Sequence, residues 1–562
     1  MNLTIKVTGP AGLGMNSTAD IISEIFAKQG YNVIGDIEYQ SLIKGGINWF
    51  DINISDNDTS IYKMVDVILT FNDKNLEKTL ALLKKGGYII SNKKWIEKLT
   101  AKNPDIFADY NILELEIADK YDNTYLLGML AKLLELNLDL INKEIEIVFG
   151  RKGEDIVQKN KDIVENIYNT FVLPKCVGDY GGNFKIASGS IGDTQTISYG
   201  NKMIADGAIA SDLEYYSAYP MTPASTVLTE VINAKSVPYL QAEDEIAVIN
   251  SALGASYAGK RAMVGTSGGG FALMTEALSF AVQAEIPVTA ILSQRAGPST
   301  GTPTFTENGD LPFALNCIFG TDSHHVVLSP SSLEEAYSFG GLALNIADQY
   351  QCPVILLTDK QFSEGKVTLD SLQATPVNRG KIETSPAADY KRYAYNQDNI
   401  SPRTYPGIKD GDFIATSYEH DEFGATSEDS EVKMRMTEKR AHKLDNFFET
   451  QGVHGYEIVN PDAKKMLVVT SFNTYTARDF IKKNPEYGLV IMKFMKPLDE
   501  RLIKDLAGKT ELTFVENSYS GQLENHLVKE LRLDLIDGIK ISSFRKYDLY
   551  PFYMEDFEER FN

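Results

Sequence analysis

YLQAEDEIAVINSALGASYAG, residues 239–259, reads as a strand that runs directly into a helix. Within it Ile246, Ile249, Leu253 and Tyr257 recur at helical spacing, an apolar stripe expected to lie in a core. A short strand feeding a buried helix is the repeating unit of an α/β sheet. The same unit recurs along the neighbouring chain. RAMVGTS (261–267), VTAILSQR (288–295), HVVLSP (325–330) and PVILLTD (353–359) are apolar runs bounded by turn residues. They predict a mainly parallel sheet over residues 201–371.

Toward the N-terminus, LTIKVTG (3–9) reads as a strand, followed by the glycine-rich GPAGLG (9–14). A helical run from Asn16 to about Gln29 comes next, with Asn16 or Ser17 as its expected cap. VDVILTF (65–71) and GGYIISN (86–92) read as further buried strands. Residues 1–176 are therefore expected to form another α/β domain with a mainly parallel sheet. Residues 177–200 are rich in Gly, Ser and Asp and read as a linker. From 372 to 462 the periodicity fades into polar, irregular chain. Strands at MLVVTSF (466–472), GLVIMKF (488–494) and LTFVENS (512–518), with helices at TARDFIKK (476–483) and GQLENHLVKEL (521–531), place a last α/β unit over 463–562. No internal repeat at fixed period is present.

A chain of 562 residues is too long for one core, and the apolar fraction of 43% is that of a globular protein. The formal charge of −22 argues against nucleic acid, whose binding relies on Lys and Arg neutralising phosphates. No stretch approaches the roughly 20 apolar residues of a membrane helix, so no membrane partner is expected. The opening MNLTIKVTGPAGLG lacks the basic and apolar regions of a signal peptide, which makes the cytoplasm the expected location. The three cysteines, Cys176, Cys317 and Cys352, are widely spaced. They form no disulfide framework and no metal-binding pair, and each is expected to be a buried apolar residue.

Four segments carry chemistry-bearing residues at strand ends. Tyr219-Pro220-Met221-Thr222-Pro223-Ala224-Ser225 holds Thr222 between two prolines that stiffen a turn. Glu243, Asp244 and Glu245 are three successive acids where the strand passes into the helix, a place that the helix dipole alone makes favourable for acids. Thr266-Ser267-Gly268-Gly269-Gly270 lets a backbone approach a ligand or turn sharply, but it has no phosphate-binding lysine. Gln294-Arg295-Ala296-Gly297-Pro298-Ser299-Thr300-Gly301 follows a further strand. Strand ends of this kind share one edge of a parallel sheet, where such sheets bind ligands.

In this order the four segments resemble the YPITPS, strand-Glu, TSGPG and QRGGPSTG stretches of the alpha subunit of 2-oxoacid:ferredoxin oxidoreductases. The resemblance extends to EHDEFG (419–424), to Lys439-Arg440 and to ENSYSGQLENHL (516–527). GPAGLG and SLIKGG (41–46) stand where the family's gamma subunit has GxGGQG and S-x-x-RGG, so a fused gamma–alpha chain is implied. The departures are Gly269 for proline, Ala296 for glycine, Lys44 for arginine, and TFTEN (304–308) for TKTEQ. The GPAGLG order is G-x-x-G-x-G, which does not fit a dinucleotide fingerprint.

The resemblance implies a multidomain α/β protein with a pyrimidine-type thiamine-diphosphate-binding fold and a transketolase C-terminal-like domain. It implies a CoA-dependent oxidative decarboxylation of a 2-oxoacid, 2-oxoglutarate first, with pyruvate or a branched-chain 2-oxoacid as alternatives. Glu243 is the expected carboxylate toward the cofactor's aminopyrimidine ring, with Asp244 and Glu245 as competitors. Thr222 and Arg295 are the expected substrate contacts. Tyr219, Pro220, Thr266, Ser267 and Gly268 are expected to line the cofactor. Thiamine diphosphate is implied to be shared with a beta subunit, which carries the Mg2+ and a 4Fe-4S cluster. This chain has too few cysteines for a cluster. Its nearest match to the family's GDG metal motif, Asp410-Gly411-Asp412, lies in the irregular segment. Coenzyme A is the co-substrate, ferredoxin the electron partner, and an (alpha-beta)2 complex the implied assembly. A lipoamide-linked dehydrogenase subunit and a non-catalytic assembly subunit are the rival readings.

Overall fold

The computed structural model describes residues 2–39, 45–118, 120–174, 196–321 and 324–561. Ser41, Lys44, Cys176 and most of the expected linker lie outside the described residues. The chain forms two compact units: residues 1–198 with 365–370 and 553–562, and residues 199–364 with 371–552.

The first unit is built on an eight-stranded sheet. Asn2–Ala11, Val65–Thr70, Leu83–Asn92 and Asn111–Leu115 run parallel, as expected. On the other side of Asn2–Ala11 the sheet is antiparallel, through Gly45–Ser55 and Asn32–Glu38, which corrects the expectation of a mainly parallel sheet. These two strands escape a search for apolar runs because their polar faces are buried too. Lys6 and Asp51 face each other in register and form an ion pair at 2.5 Å. The strand Lys366–Leu369 pairs with Asn32–Glu38, and the chain's last helix, Met554–Phe561, also belongs to this unit. The Glu555 carboxylate accepts the backbone N–H groups of Lys63 and Met64 at 3.1 Å. The first helix is Met15–Lys28 and its N-cap is Gly14 at φ 86°, not Asn16 or Ser17. Gly14 begins the helix because that left-handed geometry suits glycine.

The second unit holds a seven-stranded and a five-stranded sheet. The larger is ordered Phe494–Lys496, Val326–Leu328, Pro353–Asp359, Val288–Gln294, Ala262–Thr266, Tyr215–Ala218, Tyr239–Gln241, and all its pairs but the first are parallel. Ala262–Thr266, Val288–Gln294 and Pro353–Asp359 are buried throughout, as strands covered on both faces must be. The smaller sheet contains Lys465–Val469, Tyr487–Met492 and Glu511–Glu516 in parallel. One apolar cluster, from Val264 and Ile355 to Met492 and Phe514, spans both sheets.

Residues 371–429 contain no helix or strand, yet they are pinned by buried charge. Arg403 donates to Asp348 at 2.7 Å, and Asp348 also takes Arg261 at 3.0 Å. The helices Ser430–Ala441 and Phe447–Gln451 follow within the stretch expected to be irregular.

Candidate active site

In the seven-stranded sheet the strand Tyr215–Ala218 lies between the strand that follows it, Tyr239–Gln241, and the third, Ala262–Thr266. The connection out of Tyr215–Ala218 goes to one side and the connection out of its neighbour Ala262–Thr266 goes to the other, to Val288–Gln294, and the divergence opens a crevice at the carboxyl ends of these two strands. Residues 219–223, 242–245, 267–270 and 295 all emerge at that edge. Thr266 Oγ1 lies 3.9 Å from Met221 Sδ, joining the two strand ends that flank the switch.

The three successive acids have three different fates. Glu243 is exposed, past the end of an edge strand whose three residues are also exposed. Asp244 is the N-cap of the helix Glu245–Tyr257, and its side chain accepts the Ala247 N–H at 2.8 Å. Glu245 is therefore the first helical residue. Its side chain falls in phase with Val248, Ile249, Ala252 and Leu253 and is only 4% exposed. Its Oε1 is buried with no hydrogen-bond partner in the chain. An unpaired buried carboxylate oxygen is costly, by about 1–3 kcal/mol or more, so this one calls for a partner from outside the chain, a water or a ligand. Ile246, expected in the core, is 51% exposed, because it sits at the edge of the stripe that Glu245 heads.

The TSGGG turn is shaped around that carboxylate. Ser267 is the N-cap of the helix Gly268–Gln283, and its own Oγ is likewise buried and unpartnered. A methyl group on Gly270 would lie 2.4 Å from Glu245 Oε1 and 2.2 Å from Thr266 Oγ1, so only glycine leaves the carboxylate its seat. Gly268 packs in the same way against Asp310, whose Oδ2 would be 2.6 Å from an added methyl. Thr266 is buried, whereas Tyr219 and Pro220 are exposed on the turn after Tyr215–Ala218.

Thr222 and Arg295 are brought together: Arg295 Nη1 donates to the Thr222 carbonyl oxygen at 2.6 Å. Burial lowers the Arg295 pKa, and the Asp310 charge opposes that shift. Burial raises the Asp310 pKa, with Arg295 pulling it down and Glu307 pushing it up. From the sequence Gly270 reads only as part of a turn that lets a backbone approach a ligand, and Asp310 carries no signal of its own. A third consecutive glycine, and an acid at the head of an apolar stripe, were the features that could have pointed to this pocket.

Cys317 and Cys352 are buried, and burial pushes both thiols up to about 12, as expected of cysteines acting as apolar residues. Among the described residues no group of His, Cys, Asp and Glu is placed to hold a metal ion. In the N-terminal unit a separate cavity of about 660 Å³ opens at the glycine-rich loop. Gly12, Gly14, Asn16, Tyr39, Tyr121 and Lys152 are among its walls.

Residues 206–439 match the family described as pyruvate flavodoxin/ferredoxin oxidoreductase, thiamine-diphosphate-binding, and residues 4–170 match pyruvate ferredoxin/flavodoxin oxidoreductase. A 2-oxoacid:ferredoxin oxidoreductase subunit alpha of Sulfolobus is 29% identical over 100% of this chain and 96% of its own. The 2-oxoglutarate synthase subunit KorA of Methanocaldococcus jannaschii is 31% identical, over 55% of this chain and 85% of its own. The 2-oxoglutarate:ferredoxin oxidoreductase of Magnetococcus marinus, solved with 2-oxoglutarate, coenzyme A and succinyl-CoA bound, superposes with a TM-score of 0.85 at 27% identity, over 100% of this chain and 98% of that one. The motifs at the sheet edge, the folds that carry them and these likenesses agree: the chain belongs to the thiamine-diphosphate-dependent 2-oxoacid:ferredoxin oxidoreductases, as an alpha subunit of that family.

Proposed function

We propose that this chain binds the aminopyrimidine side of thiamine diphosphate and orients 2-oxoglutarate for CoA-dependent oxidative decarboxylation. The reaction turns 2-oxoglutarate, CoA and two oxidised ferredoxins into succinyl-CoA, carbon dioxide, a proton and two reduced ferredoxins. The choice of substrate is supported by the Magnetococcus and Methanocaldococcus relatives, both of which are named for 2-oxoglutarate. The observation that carries the reading is the buried, unpartnered Oε1 of Glu245 at the switch point. The residues present fit the cofactor: a carboxylate and the Ser267 hydroxyl, both buried and both lacking partners, are what a polar heteroaromatic ring completes.

When bound, thiamine diphosphate supplies the nucleophilic carbon and the electron sink that free the carboxylate of a 2-oxoacid as carbon dioxide. Glu245 is assigned the role first expected of Glu243. It would hold the ring by a hydrogen bond to one of its nitrogens and would take or give a proton there from its desolvated position. Gly270 keeps the space for it. Tyr219, Pro220, Thr266 and Gly268 shape the surrounding wall.

Arg295 spends one guanidinium N–H on the Thr222 carbonyl and has Asp310 close enough to offset its charge. A tight grip on the departing carboxylate would stabilise the ground state and oppose its loss, which leaves the carboxylate that stays as the fitting partner for an arginine. We assign Arg295 to the distal carboxylate of 2-oxoglutarate. Arg295→Ala should then lose far more kcat/KM with 2-oxoglutarate than with pyruvate, by about tenfold or more. Equal losses with the two substrates would remove the assignment.

The partner is a beta subunit that brings the Mg2+ and the 4Fe-4S cluster. Tyr219, Tyr239, Leu240, Ile246 and Leu273 are exposed apolar side chains around the site, a surface that a partner chain would cover. Coenzyme A is placed in the cavity beside the N-terminal glycine-rich loop, where Lys152 suits its phosphates and Tyr39 and Tyr121 suit its base. An (alpha-beta)2 complex in the cytoplasm, with ferredoxin as electron acceptor, completes the reading. The test is anaerobic turnover by the co-purified subunits. Succinyl-CoA and reduced ferredoxin should appear in a one-to-two ratio, and the isolated alpha chain should produce neither. Turnover by the alpha chain alone, or none by the complex with any 2-oxoacid, would overturn it.

A further inference from the structure

The loop that follows Arg295 has little of its own to hold it in place. Residues 297–301 are exposed, and its internal bonds are a small turn, Thr302 N–H to the Ala296 carbonyl, Phe305 N–H to that of Thr302, and Ala296 N–H to that of Phe305, at 3.0–3.1 Å, with the Gly297 N–H donating to the Glu307 carboxylate. This loop follows Arg295 directly in the chain, and it also carries Glu307 and Asp310.

Its returning limb is tied elsewhere. The Asn308 N–H donates to the Asn517 carbonyl at 2.7 Å, and the Asn517 N–H returns a bond to Asn308 Oδ1 at 3.3 Å. Asn308 Nδ2 reaches Asp359 Oδ2 at 3.3 Å, at the end of the strand Pro353–Asp359. One residue on, Gln522 Nε2 donates to the Gly309 carbonyl at 3.0 Å. Asn517 is buried and itself fixed on two sides: its Nδ2 donates to the Tyr550 carbonyl at 3.2 Å, and its Oδ1 accepts from Asn473 Nδ2 at 3.0 Å. Phe305 meets the Tyr550 ring edge to face at 6.1 Å. The loop closes where the Asp310 N–H meets Gln294 Oε1 at 2.9 Å.

We infer that Asn308 and Asn517 are positioning residues. Together they form a clamp by which the C-terminal segment 516–522 sets the loop behind Arg295, and so the binding of the 2-oxoacid. The inference rests on the proposed function for its substrate but not for its geometry. A side chain that acts only by placing a substrate contact changes substrate binding, leaving the cofactor and the chemical step intact. The Asn308 side chain takes the Asn517 main chain directly, and the Asn517 side chain holds that main chain in place, so changes at the two act through one clamp and fail to add.

The experiment uses the complex of both subunits, with Asn308→Ala, Asn517→Ala and the double variant. Each single change should raise the KM for 2-oxoglutarate on the order of tenfold. The kcat and the affinity for thiamine diphosphate should stay within about threefold, and the double variant should be no worse than the poorer single. Amide hydrogen exchange of residues 296–306 should quicken in all three while the strand Val288–Gln294 keeps its protection. A wild-type KM together with unchanged exchange would overturn the clamp. So would a loss of cofactor that accompanies a general loss of protection. If the wild-type complex itself turns over no 2-oxoacid, the functional reading has failed, and the exchange measurement alone decides on the clamp.

Discussion

Glu245→Gln in the complex of both subunits is expected to lower kcat by about 10²–10⁴-fold, the usual worth of a positioned acid–base group. The amide keeps the shape and the helix start but cannot exchange the proton. Glu243→Gln should leave kcat within about threefold, because an exposed carboxylate at a strand end adds little beyond solvation. Asp244→Ala is a useful third variant. It removes the bond to the Ala247 N–H and should cost about 1 kcal/mol of stability as a lost N-cap, with a far smaller effect on turnover than Glu245→Gln. Steady-state rates at saturating 2-oxoglutarate and CoA check all three. A large loss in Glu243→Gln with little in Glu245→Gln would reverse the assignment.

The largest expected effect on stability lies away from the active site, at Glu285. This carboxylate is completely buried and takes Lys439 at 2.5 Å and Lys443 at 2.7 Å. The Arg392 guanidinium donates to its backbone carbonyl at 2.8 Å. One anion thus faces three cations. Burial pushes the acid's pKa up, but Lys439, Lys443 and Arg392 together hold it well below the usual carboxylate range. Burial, helped by repulsion from the neighbouring cations, brings the Lys439 ammonium down to about 7 despite its ion pair. Glu285→Gln leaves the cations facing one another in a dry interior. Removing one partner of such a buried group costs about 3–5 kcal/mol. The urea midpoint should fall accordingly, and adding Lys439→Met should restore a large part of the loss. A midpoint unchanged in the single variant would mean that the cluster is hydrated and worth little. The acid's own contribution has a defined pH sense. Its folded pKa is depressed, so the stabilisation is present above the unfolded value and is lost as pH falls toward the folded one.

Much of the cofactor domain could be read from its residues because its physics is local. Strands buried on both faces must be nearly all apolar, so RAMVGTS, VTAILSQR and PVILLTD announce themselves, and the turns after them are marked by Pro and Gly. The N-terminal unit was read less completely. Gly45–Ser55 alternates Trp49, Asp51, Asn53 with Phe50, Ile52, Ile54, and its polar face is satisfied by partners elsewhere in the chain, such as Lys6 on the neighbouring strand and the Tyr62 N–H. Lys366–Leu369 and Met554–Phe561 reach that unit from several hundred residues away in the chain, which no window of sequence reveals. The polar stretch 372–429 looked loosely held because Arg392 and Arg403 find their acceptors at Glu285 and Asp348, far from their neighbours in sequence.

Thr222 and Arg295 are singled out by their motifs, and in the structure the Arg295 guanidinium donates to the Thr222 carbonyl. Which of three adjacent acids turns inward was a matter of helix phase. Once Asp244 is recognised as the cap, Glu245 stands three and four residues before Val248 and Ile249 and must share their buried face. The clamp on Asn308 depends on Asn517, two hundred positions later, and had no local trace.

Whether Glu245 is the carboxylate that meets the cofactor is decided by a titration of thiamine diphosphate, with Mg2+ present, into the cofactor-depleted complex, followed by tryptophan fluorescence or calorimetry, for the wild type, Glu245→Gln and Glu243→Gln. Wild-type affinity is expected for Glu243→Gln and, for Glu245→Gln, binding weakened by about tenfold or more, since a charge-assisted hydrogen bond is worth about 1.5–3 kcal/mol. Full affinity in Glu245→Gln, or a loss confined to Glu243→Gln, would contradict the Glu245 assignment.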